Sequence, residues 1–327
     1  MKRYDRRAIC LLFLLFVFFS CEKSDQDPFL NPDQFEFGIV GELFPSIKNE
    51  YEKSIQIIIT QDSDKRQLRA YFKTPDHTEL FINDSLQISW ETILDYSQPM
   101  TLQLRSNGKY ISSSWTISVQ KETEAYGLGK YLIAARSLNR SWDFYVDQYQ
   151  TGFYAVNNCG PAVVAMASKW VDSSFVKSVS ELRASIRPDG SLWSTSDIIQ
   201  SLKTQSIHAN VIYLGQLENV IKKEIDAGSI LILCLDMFDI KQNTNRIQKR
   251  GKFYTNTSRG YGHFILVKGY QIVDDKFYLE VYDPNSGGKV YSLNQEPRGK
   301  DRYYAAKEVQ QATENWWKYA IVVRPKN

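Results

Sequence analysis

The 327-residue sequence predicts a multidomain protein, with an all-β N-terminal region followed by an α+β C-terminal region. The length suits about two domains of roughly 150 residues each. Residues 30–121 contain short alternating strands between turn residues, whereas residues 141–327 mix helical periodicity with apolar strand runs. Residues 122–140 are interpreted as a linker. A helix over 122–138, interrupted by Gly127 and Gly129, is compatible with them.

The N-terminal region is predicted to fold as an immunoglobulin-like sandwich. About seven short strands in roughly 100 residues suit this fold. The alternation at Leu86, Ile88 and Trp90, and again over 115–119, predicts that one face of each strand points inward. We expect a spacer or docking role. The predicted strands are 35–40, 54–60, 67–72, 79–82, 86–90, 101–105 and 115–119.

Residues 1–20 have the pattern of a secretory signal. Basic residues precede the apolar run 8–19, which is shorter than the roughly 20 residues of a membrane span. Ser20-Cys21 after this run resembles a bacterial lipoprotein signal, and the polar segment 22–27 resembles the export signals of Bacteroidetes lipoproteins. The resemblance implies a lipid on Cys21, a tether over 21–29 and a cell-envelope location, anchored in the outer membrane and periplasmic or surface-exposed. The alternative is an ordinary cleaved signal, with Cys21 incidental.

The net charge argues against nucleic acid as a partner. The chain carries a formal charge of +3, and the first seven residues account for all of it. The remainder is therefore neutral, whereas phosphate binding needs concentrated Lys and Arg.

The C-terminal region alternates helices and strands. Ser178 and Glu181 have capping-box spacing, Ser194 precedes another helix as a possible cap, and Gly228 ends a third. The predicted helices are 161–171, 178–186, 197–204 and 217–227, and the predicted strands are 229–235, 263–271, 277–283 and 319–324.

Cys159 is the residue that points to chemistry. It directly precedes a predicted helix, whose unpaired N–H groups and partial positive charge favour a thiolate. Of the four cysteines, Cys10 leaves with the signal and Cys21 is the candidate lipid site. Cys234 lies in an apolar strand and is expected to act as a small hydrophobe. Cys159 is thus the candidate nucleophile, or else a buried Cys at the start of a core helix.

His263 and Asp283 complete a candidate catalytic set. His263 opens one predicted strand and Asp283 closes the next, joined by a turn at Asp274-Asp275. An antiparallel hairpin would bring the two side chains to the same sheet end, where the carboxylate can orient the imidazole. The alternatives are a strand-end His satisfied by the backbone and a turn Asp before Pro284.

Four segments together resemble a known family. Asn158-Cys159-Gly160-Pro161-Ala162, Ala227-Gly228, Gly262-His263-Phe264 with Gly269-Tyr270, and Tyr282-Asp283-Pro284 resemble the stand-alone relatives of the double-glycine leader peptidases, over residues 143–325. These are papain-like enzymes of cysteine peptidase family thirty-nine. The resemblance implies Cys159 as nucleophile, His263 as base and then acid, Asp283 as orienter, and Gln148 (alternatively Gln150) as oxyanion donor. It also implies hydrolysis of a peptide or protein substrate, without cofactor or metal.

Three interpretations remain open beside this one. The chain could be a cell-wall amidase or transglutaminase-like acyltransferase with the same residue order, or an inactive surface-binding lipoprotein. The basic stretch 241–262 could be a lid or an anion contact, but a solvated mobile loop is the favoured interpretation.

Overall fold

The computed structural model describes residues 34–110 and 112–326, so the predicted signal, the lipidation site Cys21 and the whole tether lie outside the described residues. The described part of the N-terminal region contains ten short strands. They are β1 (Glu36–Ile39), β2 (Ile47–Asn49), β3 (Ser54–Ile59), β4 (Leu68–Lys73), β5 (Glu79–Ile82), β6 (Ser85–Leu86), β7 (Ile93–Leu94), β8 (Met100–Ser106), β9 (Lys109–Tyr110) and β10 (Trp115–Lys121).

These strands form two sheets that share one core. The smaller sheet has the order β1-β4-β7, and the larger has the order β2-β3-β10-β8-β5-β6, with β9 beside β8. Strand β10 runs parallel to β3. Apolar side chains of both sheets, such as Phe37, Ile57 and Trp115, are buried together, which removes the inner faces from water. The immunoglobulin-like assignment itself stays a prediction.

The predicted strand 86–90 is wrong. Only Ser85–Leu86 is a strand, and the side chains of Leu86, Ile88 and Trp90 are exposed whereas Gln87 is buried. The alternation is therefore present but points the opposite way. Trp90 has a φ of 68°, a left-handed conformation that a strand cannot contain. The predicted inward face of Trp115, Ile117 and Val119 is confirmed.

The assignment of residues 122–140 as a linker is corrected in part, and the helix that residues 122–138 could have formed is absent. Helix α1 (Glu122–Ala125) is only four residues long. Gly127 follows with a φ of 78°, a left-handed conformation that ends the helix. The chain then forms β11 (Leu132–Ser137), which pairs with a strand of the C-terminal sheet. Part of the predicted linker thus belongs to that sheet.

The C-terminal region contains five more helices and six more strands. In chain order these are α2 (Cys159–Val171), α3 (Val179–Ile186), α4 (Thr195–Thr204), β12 (Ala209–Tyr213), α5 (Leu217–Asp226), β13 (Ile230–Asp236), β14 (Gly262–Val273), β15 (Lys276–Tyr282), β16 (Arg302–Ala305), α6 (Ala306–Glu314) and β17 (Tyr319–Val323). All the predicted helices and strands of this region are confirmed, with shifts of one or two residues at their ends. Strands β12 and β16 and helix α6 were not predicted.

The starts of helices α3 and α4 have the caps that the sequence predicts. The Ser178 and Ser194 side chains accept from the backbone N–H groups of Glu181 and Asp197, and both sites are capping boxes. Each cap satisfies N–H groups that the first helical turn leaves unpaired. These two helices pack against α2, and the loop between them reaches the site described below.

The C-terminal sheet is antiparallel and lies between helices. Its order is β12-β17-β13-β14-β15-β16, with β11 beside β14. Ile230, Ile232 and Cys234 of β13 face the core that contains α2. The alternate residues Leu231 and Leu233 face the core that contains α5 and α6. The sheet is therefore buried on both faces, and its exposed end is where α2 begins.

The basic stretch 241–262 is solvated only in part. Lys249 and Lys252 are buried; the ammonium of Lys249 lies 4.5 Å from the ring centroid of Tyr126. Lys241, Arg246 and Arg259 are exposed, and Arg259 forms a two-pronged ion pair with Asp239 at 2.9 and 3.0 Å. The interpretation as a solvated loop is therefore wrong for the two buried lysines, whose stems pack against the protein.

No helix within residues 34–110 and 112–326 is long and apolar enough to cross a membrane.

Candidate active site

Cys159, His263 and Asp283 meet at one end of the C-terminal sheet. Cys159 is the first residue of α2, His263 is the second residue of β14, and Asp283 directly follows β15. Strands β14 and β15 form the predicted hairpin, with Leu266 opposite Tyr282. This register returns the chain to its starting edge and places Asp283 beside His263. The expected juxtaposition of the three side chains is therefore present.

The imidazole of His263 bridges the other two side chains. Its Nε2 lies 2.7 Å from Oδ1 of Asp283. The Cys159 thiol faces the same ring, and each of the two groups shifts the pKa of the other toward its charged form. A carboxylate, an imidazole and a thiol in this order can hold the ring in one orientation and move a proton between sulfur and nitrogen.

Asp283 is completely buried but fully hydrogen-bonded. Its Oδ1 also accepts the backbone N–H of Asn285 at 2.9 Å. Its Oδ2 accepts the hydroxyls of Tyr304 at 2.6 Å and Tyr254 at 2.9 Å. Sequence reasoning missed both tyrosines, which come from separate elements and carry no local pattern. Four donors make a buried carboxylate tolerable and fix the direction of each oxygen.

The three groups shift one another's proton affinities. Burial alone would lower the pKa of His263, but the charge and hydrogen bond of Asp283, together with Cys159, raise it to about 10. Burial raises the pKa of Cys159, yet the hydrogen bond and charge of His263 bring it below its ordinary value. The pKa of Asp283 is also lowered, because the charge and hydrogen bond of His263 outweigh burial. The site therefore favours a thiolate beside an imidazolium.

The two candidate oxyanion donors lie in different surroundings. Gln148 is buried, lines the same cleft as Cys159, and donates through Nε2 to the carbonyls of Ala155 and Val156 at 3.1 and 3.3 Å. Gln150 is exposed in a turn with a φ of 61°. The structure thus brings Gln148, and not Gln150, to the nucleophile's cleft.

A cleft of about 530 Å³ opens onto Cys159 and His263. Trp193 and Trp316 line it, and both pack against glycines that neighbour the candidate residues. A Cβ on Gly160 would lie 2.7 Å from Trp193, and one on Gly262 would lie 2.3 Å from Trp316. Each glycine therefore allows an aromatic wall to approach the reacting groups.

Cys234 lines the same cleft but has a different character. It is buried in β13, and burial raises the pKa of its thiol well above the ordinary value. The expectation that it acts as a small hydrophobe agrees with its place in the α2 core. Two thiols in one cleft thus differ in the direction of their pKa shifts, which makes Cys234 an internal reference for Cys159.

The described ranges contain no group of three or more His, Cys, Asp or Glu side chains placed to hold a metal ion. The arrangement that is present suits covalent chemistry at a carbonyl, since it combines an activated sulfur, a proton carrier and a walled cleft.

Comparison with known proteins gave structural likenesses only. No family model matches the sequence, and no curated protein matches it. A crystal structure from Bacillus anthracis, provisionally described as a C39-like peptidase, is 14% identical with a TM-score of 0.39; the match covers 59% of this chain and 99% of that one. The peptidase domain of Streptococcus ComA, a bifunctional ABC transporter involved in a quorum-sensing pathway, is 16% identical with a TM-score of 0.34, over 56% and 98% of the two chains.

A third solved structure is UfSP from C. elegans. It is 11% identical with a TM-score of 0.37, and the match covers 59% of this chain but only 35% of that one. The chain is therefore similar to structures named as peptidases, at low identity. The chemistry open to this chain depends on the geometry of Cys159, His263 and Asp283.

Proposed function

We propose that this protein is a cysteine peptidase that hydrolyses peptide bonds through Cys159, His263 and Asp283. The observation that carries the proposal is the contact of His263 Nε2 with Asp283 Oδ1 at 2.7 Å, in the same cleft as the Cys159 thiol at a helix start. Burial of all three side chains excludes bulk water, which strengthens their mutual electrostatics.

The reaction would proceed through an acyl-enzyme. The Cys159 thiolate attacks the carbonyl carbon, and the carbonyl oxygen becomes an oxyanion. The His263 imidazolium gives its proton to the leaving amine as the C–N bond breaks, which leaves a thioester. Neutral His263 then takes a proton from water, whose oxygen attacks the thioester and releases the acid and the thiolate. Asp283 orients the ring and stabilises the imidazolium throughout.

The proposed oxyanion donors are the backbone N–H of Cys159 and the side-chain amide of Gln148. The amide lies in the same cleft, and its two N–H groups donate to the carbonyls of Ala155 and Val156. One of these two bonds has to open before the amide can donate to the oxyanion. Preorganised donors stabilise charge that develops in the transition state and typically contribute about 10²–10³ in kcat each. We expect Gln148→Ala to lower kcat within that range, and Gln150→Ala to leave it unchanged.

Export and lipid anchoring through Cys21 belong to the proposal as well. Their support is the basic, apolar and Ser-Cys pattern of residues 1–21. Envelope fractionation with metabolic labelling by a fatty acid tests them: the wild type should carry label in the membrane fraction, and Cys21→Ala should carry none. A labelled Cys21→Ala protein would contradict this part alone.

The chemical proposal is tested by alkylation of the full chain with iodoacetamide against pH, mapped to each cysteine by mass spectrometry. Cys159 should react with an apparent pKa well below that of a free thiol, about 8.5. In His263→Ala the apparent pKa of Cys159 should rise to that of a free thiol. In His208→Ala, a change at an exposed histidine, it should stay low. A peptide-library digest follows, with Cys159→Ala as its blank.

The outcomes separate the rival functions. If Cys159 reacts no faster than Cys234, the catalytic proposal fails, and an inactive binding protein becomes the better description. If Cys159 is reactive but the library stays uncut while acyl transfer to amines or cleavage of cell-wall amides is detected, the acyltransferase or amidase alternative replaces the peptidase.

A further inference from the structure

Arg183 is a buried cation close to the candidate nucleophile, and sequence analysis did not single it out. It lies on α3, and only 4% of the residue is exposed. Throughout residues 34–110 and 112–326, no carboxylate forms an ion pair with its guanidinium. A buried charge without a counter-ion costs free energy unless something else compensates it.

The guanidinium joins the two chain segments that lead into the cleft. Its Nε donates to the Asn158 side chain, and one Nη donates to the Asn157 carbonyl at 2.6 Å. The other Nη donates to the carbonyls of Ser191 at 2.9 Å and Arg187 at 3.3 Å. The first segment ends at Cys159. The second leads to the cleft residues Leu192 and Trp193.

The fork shape of the side chain explains why one residue can do this. Arginine presents five N–H donors in a fixed plane, and the four acceptors named above are all neutral oxygens. Asn158 is itself buried and donates onward to Thr151. The turn before Cys159 is thus hydrogen-bonded to Arg183 on one side and to Thr151 on the other.

We propose that Arg183 is a positioning residue that locks the turn before Cys159 to the cleft wall and supplies a fixed positive charge to the thiolate. This inference rests on the proposed function, because it concerns the same sulfur. The guanidinium is bonded to both residues that directly precede Cys159, so its charge lies on the side of the turn from which the sulfur projects into the cleft. Its interaction with Cys159 is favourable. The charge of Arg183 would add to that of the α2 N-terminus and of His263.

The test measures the alkylation pKa of Cys159 in full-length Arg183→Met, Arg183→Gln and Arg183→Lys. Other titratable groups that face this sulfur or line its cleft are Cys234, Tyr254, Tyr261 and His263, with Asp283 behind His263. None of these is changed by the substitutions, so a shift reports on residue 183. The matched control is Arg187→Met, which removes a half-exposed arginine that is already paired with Asp197 at 3.0 Å.

Charge removal should raise the apparent pKa of Cys159 by up to about one unit, since a contacting opposite charge typically shifts a pKa by about 1–3 units and Arg183 acts across the turn formed by Asn157 and Asn158. Arg183→Lys should restore most of that shift, and Arg187→Met should leave it unchanged. Circular dichroism identifies which variants are folded. If Arg183→Met does not fold, the difference in Cys159 pKa between the milder Arg183→Gln and Arg183→Lys gives the same comparison of neutral and charged side chains.

Two results would overturn the inference, and they are distinguishable. If the wild-type Cys159 has a low pKa and the folded neutral variants match it, Arg183 has only a structural role and the proposed function survives. If the wild-type pKa is that of a free thiol, both the proposed function and this inference fail.

Discussion

Asp283→Asn isolates the contribution of one buried charge. The substitution keeps the shape of the side chain, and its remaining oxygen can still accept from His263 and from the backbone of Asn285. The new amide group faces the hydroxyls of Tyr254 and Tyr304, which can rotate to accept. Folding should therefore survive, while the negative charge is lost.

The size of the effect follows from the contact with His263. Two unit charges about 4 Å apart attract by about 4 kcal/mol at an effective dielectric constant of about 20. That equals about three pKa units, so the pKa of His263 should fall from about 10 to roughly 7. Because the leaving amine needs the protonated ring, the alkaline limb of the kcat/KM profile should move to lower pH by the same three units or so. At pH 8.5 the loss would be about thirtyfold from this cause alone.

The assay is the pH dependence of kcat/KM on a cleaved peptide, with the alkylation profile of Cys159 in parallel. Asp275→Asn provides the matched control, since it makes the same change at an exposed position in the turn of the same hairpin. An alkaline limb that stays near 10 in Asp283→Asn would show that the carboxylate does not sustain the imidazolium, and would refute this reasoning.

Three further changes have defined outcomes. Gly160→Ala places a Cβ 2.7 Å from Trp193, so kcat/KM should fall about tenfold or more through displacement of the cleft wall, despite the better helix propensity of Ala. Lys268→Met removes a buried cation that pairs with two carboxylates, Glu280 and, at 2.8 Å, Asp301, and should cost about 3–5 kcal/mol of unfolding free energy at pH 7 by urea titration. Ser178→Ala removes a helix cap and should cost about 1 kcal/mol.

The Lys268 prediction includes a pH dependence. Burial raises the pKa of Asp301, but the charge of Lys268 brings it below the ordinary value. A lowered acid pKa stabilises the fold above the unfolded value, about 3.9, and this stabilisation is lost as pH falls through the folded pKa. The stability gap between wild type and Lys268→Met should therefore narrow below about pH 4; a constant gap would contradict the pairing.

Each of the other two changes has its own contradicting result. Unchanged kinetics in Gly160→Ala would mean that Trp193 can move aside without affecting the site. Unchanged stability in Ser178→Ala would mean that the remaining first-turn contacts of α3 satisfy the cap; Ser173→Ala, outside any helix, is the control for loss of a serine.

The C-terminal elements were predictable because their signals are local. Capping serines mark the starts of α3 and α4, an apolar run marks β13, and a two-residue turn marks the hairpin that brings Asp283 to His263. The hairpin is the reason that two of the candidate residues could be placed together from sequence. Contacts between residues close in the chain leave patterns that propensity and periodicity can detect.

The missed features depend on distant parts of the chain. The alternation at 86–90 indicates a strand with two different faces. Tertiary packing decides which face is buried, and here the buried side chain is that of Gln87. Arg183 looked like an ordinary helix arginine, because its acceptors lie in two turns. Tyr254 and Tyr304 reach Asp283 from elements 29 and 21 residues away.

Strand β11 decides how short a fragment can be made that still contains the complete C-terminal sheet. Its residues Leu132–Ser137 follow the N-terminal sheets in the chain but pair with β14, the strand that begins beside His263. A truncation that starts at residue 141 would remove this strand and leave one edge of residues 269–273 without its backbone partner, while the other edge stays paired with β15. A fragment that preserves the sheet beside the site therefore has to begin before residue 132.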